Sequence, residues 1–189
     1  MGIGDVARDA YREALPALAV SALGGLFAGV VLGGMRAELR AVPGLLVLVP
    51  ALLATRGNVY GSLGARLSTA LHQGLVEPRL RSGDRRRRAA AAAALATGVP
   101  ASLFAAAAAS ALLTVLGTAV APLPTLLGVA LLAGLLSGAA LSVAVLTVVF
   151  AGYRRGTDPD TLVGPLVTTT GDVFGIAFLL IAVRAVLAV

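Results

Sequence analysis

TLVGPLVTTTGDVFGI, residues 161–176, opens a segment that stays apolar almost to the end of the chain and holds a single acid, Asp172, in its interior. An apolar helix of about 20 residues crosses the hydrocarbon core of a bilayer, and this segment is longer than that. A carboxylate near the bilayer centre costs roughly +2.5 to +3.5 kcal/mol on insertion scales, so an acid kept there needs a pathway, a ligand or a partner. What Asp172 faces is therefore the functional question.

The composition agrees with that reading. Of 189 residues, 58% are hydrophobic and 13% charged, with a mean hydropathy of +0.95, far from the balance of a water-soluble domain. Aromatic residues make up only 4% while glycine occurs 23 times, so helices are expected to meet by close backbone approach. Cysteine is absent, which excludes disulfides and thiolate chemistry. All 15 basic residues are arginine, and the net charge is +6. Because the arginines flank apolar spans, they are read as orientation signals and no nucleic-acid partner is expected.

Five apolar stretches are long enough to span, at about 14–34, 42–73, 89–120, 124–151 and 161–188. The expected fold class is an all-α membrane protein, a single transmembrane domain over residues 1–189 with a cytoplasmic loop at about 75–88. Arg8, Arg12, Arg79, Arg81, Arg85 to Arg88, Arg154 and Arg155 fall on one side of this arrangement, and only Arg36, Arg40 and Arg184 on the other. Positive residues stay cytoplasmic, which gives an N-in, C-out topology in the cell membrane. The first helix is expected to be retained, because acids mix with the arginines ahead of it and no small-residue cleavage site follows. Gly25, Gly29 and Gly33 repeat at four residues and predict a packing seam, as do Gly134 and Gly138.

Two helices carry polar faces. In the last, Pro165, Thr168 and Asp172 share one face with Thr169 at its edge. Pro165 cannot donate to the preceding turn and frees a carbonyl there. Carbonyls, hydroxyls and a carboxylate are hard oxygen ligands suited to Mg²⁺ or Ca²⁺. In the second, Thr55, Asn58, Ser62, Arg66, Thr69 and Gln73 form a polar stripe, and Gly57 loosens the backbone beside Asn58. Arg56 lies about 160° from Asn58 around that helix, off the stripe, and a pair with Asp172 is the main rival to an ion path. His72 is the sole histidine and sits near a helix end, where an interfacial, hydrogen-bonded ring is the expectation. Without clustered imidazoles or thiolates, soft metals are not expected. Neither a phosphate loop nor a nucleophile elbow is present, so the chain is not read as an enzyme.

The segment PALLATRGNVYGSLGARLSTALHQG, residues 50–74, resembles the signature helix of the MgtE-type magnesium transporters, most strongly their eukaryotic solute-carrier relatives. The likeness is carried by Pro50, Arg56, Gly57, Asn58, Leu63, Arg66, Leu67, Ser68 and Thr69. GPLVTTTGDVFG is similar to the family's final helix, in which an aspartate of the ion path follows a threonine-rich turn; that aspartate falls on Asp172. The resemblance implies five helices, a homodimer or pairing with a sister half-transporter, a cation path near the two-fold axis, and Mg²⁺ or a related dication as transported ion rather than a permanently bound cofactor. Bacterial members carry a large cytosolic sensor ahead of the membrane part, and gating by such a sensor is not expected of this chain.

The combined expectation is a divalent cation transporter in which Asp172 attracts and selects the ion. Thr168, Thr169 and Asn58 would orient its waters, Pro165, Gly57 and Pro50 would shape the backbone, and Arg66 would stand at the cytosolic mouth. Two alternatives stand beside it: a membrane scaffold held by an Arg56–Asp172 pair, and a permease for a small organic solute.

Overall fold

A computed structural model describes the chain over residues 3–76, 85–155 and 159–188. Its elements are α1 (Ile3–Gly34), α2 (Arg36–Ala41), α3 (Leu45–His72), α4 (Arg85–Val115), α5 (Leu123–Arg154) and α6 (Pro159–Leu187), with no strand among the described residues. Four of these helices contain stretches long and apolar enough to cross a membrane: Leu45–His72, Arg88–Val115, Leu123–Arg154 and Val167–Leu187. Among the described residues the apolar part of α1, Leu18–Gly34, is shorter. The protein is thus an all-helical, multi-pass membrane protein.

Local chemistry sets the turns. Between α2 and α3 the backbone reverses at Gly44 (φ 91°), and a Cβ there would come within 2.8 Å of Leu113 Cδ1. Only glycine accepts both the left-handed backbone and the close approach. At the end of α4, Gly117 (φ 66°) lets Thr118 N–H donate to the Leu113 carbonyl at 3.0 Å, which satisfies an orphan carbonyl of the last turn. The expected helix 89–120 is therefore helical only through Val115, and residues 116–122 form the turn. Ala121 N–H then donates to the Pro43 carbonyl at 2.8 Å, tying the α2–α3 and α4–α5 links into one end of the bundle.

That tie, with the contact between Gly128 and Val186, puts the starts of α3 and α5 beside the ends of α4 and α6. At the other end, His72 and Tyr153 meet edge to face at 5.6 Å, and Val76, Ala90 and Val149 share a core cluster. Successive long helices therefore alternate in direction. The α6 helix packs against α5, α1 and α3, while α4 packs against α3 and α5. The α1 helix rests mainly on α6 and does not form a packed pair with α3.

Packing inside the bundle uses small residues, as lipid-embedded helices must when burial of apolar surface from lipid gives little net drive. Gly134 lies against Ser102, and Gly138 against Tyr60 and Leu95, so this seam of α5 is a true helix crossing. The seam expected on α1 is different. Cβ atoms at Gly25, Gly29 and Gly33 would meet open space, and it is Gly24 that abuts α6, at Thr169. The helix turns its glycine strip outward because the 100° step from Gly25 to Gly24 decides which face reaches the neighbour. Large apolar side chains also face outward, including Val30 at 73% and Phe104 at 75% exposure, as a lipid-facing surface requires.

Candidate functional site

Asp172 is partly exposed although it sits within an apolar helix. Two neighbours on α6 bracket it. Gly175 packs against Arg56 and Leu53 of α3, and Thr169 against Gly24 of α1. Each lies three residues away, about 60° around the helix on either side of Asp172. Asp172 therefore points into the seam between α1 and α3, two neighbours of α6 that make few contacts with each other. Thr168 lies on the same face and is exposed, and Thr169 is partly buried. Pro165 falls within α6, with its side chain outside the described residues.

The residues of α3 divide between two sides. Arg56 is 3% exposed and turned toward α6: its Nη1 lies 2.7 Å from where a Cβ on Gly175 would stand. Nε and Nη2 make no hydrogen bond. Arg56 and Asp172 form no ion pair; among the described residues the ion pair recorded is Arg184–Glu38. Asn58, Ser62 and Arg66 instead line a cleft of about 570 Å³ between α3 and α4, closed by Ala90, Ala94 and Thr97 opposite and by Leu75 and Val76 at one end. Within the chain Asn58 and Asp172 thus open onto different sides of the bundle. Gly57 has open space beside it, and Pro50 is exposed within α3.

Two stripe residues are satisfied by their own helix. Thr55 donates to the Ala51 carbonyl at 2.8 Å and Thr69 to Ala65 at 3.0 Å, as hydroxyls in membrane helices commonly do. His72 Nδ1 is 2.9 Å from the Ser68 carbonyl. Among the described residues no three histidines, cysteines or acids converge. Among the described side chains Asp172 is the one carboxylate at this seam, with the hydroxyls of Thr168 and Thr169 beside it.

A sequence model of the MgtE family, described as "Divalent cation transporter", matches residues 49–182, well over half the chain, including the site residues of α3, α4 and α6. The chain belongs to the MgtE family of divalent cation transporters. It is also similar to Solute carrier family 41 member 3 of Rattus norvegicus, with 28% identity over 176 residues. That match covers 89% of this chain and 37% of the rat protein, so the chain spans a little over a third of the length of the relative it matches. MgtE proteins are transporters rather than enzymes, in line with the missing catalytic motifs.

Two features were not legible in the sequence. Tyr60 is 2% exposed, hydrogen-bonded to Ser142 and set at the crossing of α3, α4 and α5 beside Gly98 and Gly138. Its signal, a lone tyrosine opposite glycines on two other helices, is readable only once the helices are aligned. The other is Glu38 on α2, which reaches Arg184 across 146 residues of sequence.

Proposed function

We propose that this chain carries a divalent cation, Mg²⁺ first, across the cell membrane, and that Asp172 is the charge that draws the ion into the bilayer. The observation that carries the reading is a partly exposed Asp172 in an apolar helix, between α1 and α3, which make few contacts with each other, in a chain of the MgtE family. An acid there without an ion pair is costly to keep, and a dication repays that cost.

In this reading the chain crosses the membrane five times, N-in and C-out, with α1 as the first span. The end that holds Arg85, Arg88, Arg154 and Arg155 is cytoplasmic. Two copies meet across the α1–α3 seam, so that two carboxylates balance one dication near a two-fold axis; a sister half-transporter could serve as the second copy. Mg²⁺ gives up water reluctantly, so it would pass partly hydrated, its waters held by Asp172, Thr168, Thr169 and freed carbonyls near Pro165. Asn58, beside the loosened backbone at Gly57 and Pro50, would contribute from the α3–α4 cleft, whose mouth carries Arg66. No permanently bound cofactor is required. The scaffold alternative needs an Arg56–Asp172 pair, and the two side chains are not paired in the structure.

The test is Mg²⁺ uptake into proteoliposomes by the wild type and by Asp172→Asn. Uptake by the wild type and its loss in the variant supports the reading; equal uptake removes Asp172 from the mechanism. Oxidation of a Thr168→Cys variant checks assembly, because a face-to-face dimer gives a disulfide-linked band of twice the mass.

A further inference from the structure

Arg56 is the most anomalous side chain in the bundle. It is 3% exposed, with Nε and Nη2 unpartnered, and no acid among the described residues neutralises it. Arginine stays protonated under nearly all conditions, so a full positive charge sits here without a counter-ion in contact. A structural arginine would be expected to have its donors satisfied. Its position supplies another explanation. Nη1 is 2.7 Å from the Cβ position of Gly175, and residues three apart on a helix have Cβ atoms about 5–6 Å apart. The guanidinium therefore lies within about 9 Å of the Asp172 Cβ, near enough to act on its field and held off from bonding it.

We propose that Arg56 is a fixed counter-charge that weakens the grip of the Asp172 site on its dication and so speeds release. This rests on the transport reading above. A path conducts only if the ion binds well enough to enter and loosely enough to leave. Two carboxylates around one dication in a medium of low polarity would bind too tightly and trap it. A positive charge within a helical turn repels a bound dication twice as strongly as a monovalent ion, and burial leaves little solvent to screen it. Gly175 is part of the device, since any side chain at that position would displace the guanidinium from α6.

The effect separates affinity from rate, which a purely structural role would not do. In proteoliposomes of the full chain, Arg56→Gln should lower the half-saturating Mg²⁺ concentration about tenfold and lower the maximal rate as well. Arg56→Lys, which keeps the charge, should move both back toward wild type. Gly175→Ala keeps every polar group, adds a helix-favouring residue and pushes the guanidinium away from α6; it should lower half-saturation in the same direction by a smaller factor. Should Arg56→Gln not yield a monodisperse protein, Gly175→Ala decides. Either folded variant with wild-type or raised half-saturation overturns the proposal while leaving Asp172-dependent transport standing. A wild type that carries no divalent ion overturns the transport reading and this inference with it.

Discussion

Arg184 Nε donates to Glu38 Oε1 at 2.8 Å, fastening the last turns of α6 to the short helix that links α1 to α3. Glu38 is 8% exposed while the Arg184 side chain is 67% exposed, so the pair closes over the bundle end with its cationic side in solvent. The hydrogen bond from Arg184 holds the Glu38 carboxyl below its ordinary value of 4.5. A carboxyl lowered in the folded state stabilises that state above the unfolded value and loses the contribution as pH falls below about 4.5. In detergent, wild-type thermal stability should fall through that acid range, whereas Glu38→Gln should be less stable at neutral pH and show a shallower acid loss. Parallel curves for the two proteins would show that the pair contributes nothing.

The orientation can be read directly because the chain has no cysteine. Gln73 and Leu116 are both exposed, at opposite ends of the bundle. With the arginine-rich end cytoplasmic, a membrane-impermeant maleimide added to intact cells should label Leu116→Cys, and should label Gln73→Cys only after permeabilisation. The reverse pattern would invert the topology.

Gly138 is where α5 meets the Tyr60 hydroxyl, and a Cβ there would also lie 2.7 Å from Leu95 Cδ2. Overpacking of this kind costs about 1–3 kcal/mol. Gly138→Ala should lower the melting temperature in detergent, and adding Tyr60→Phe should recover part of the loss by removing the hydroxyl. An unchanged melting temperature for Gly138→Ala would mean that the α3–α5 crossing is looser than the structure has it.

Asp172 and Asn58 open onto different sides of the bundle, so their substitutions should differ in severity. Asp172→Glu keeps the charge but lengthens the arm by a methylene, and should retain measurable Mg²⁺ uptake where Asp172→Asn does not. Asn58→Ala should reduce uptake by less than about tenfold, the scale of losing a single neutral hydrogen-bonding group. Abolition of uptake by Asn58→Ala would place the α3–α4 cleft on the main path.

Membrane class and helical content were legible in the sequence because both follow from a one-dimensional quantity, the length of apolar runs against bilayer thickness. The anomaly of Asp172 was legible for the same reason, since the cost of a carboxylate in an apolar span is independent of neighbours to first order. Packing faces were less so. Gly134 and Gly138 lie at a helix crossing and Gly25, Gly29 and Gly33 do not, although both runs have the same spacing; a repeat fixes a stripe on a helix but not the direction in which the stripe is turned.

Length and hydropathy thus determined by themselves that this chain is a helical membrane protein with one exceptional acid. Only the tertiary structure decided what surrounds that acid: Arg56 against Gly175 without an ion pair to Asp172, Asn58 in a separate cleft, and a position between α1 and α3, which make few contacts with each other. The reason is rotational. A helix presents a new direction every 100°, and which direction meets a neighbour is set by the packing of all the helices together.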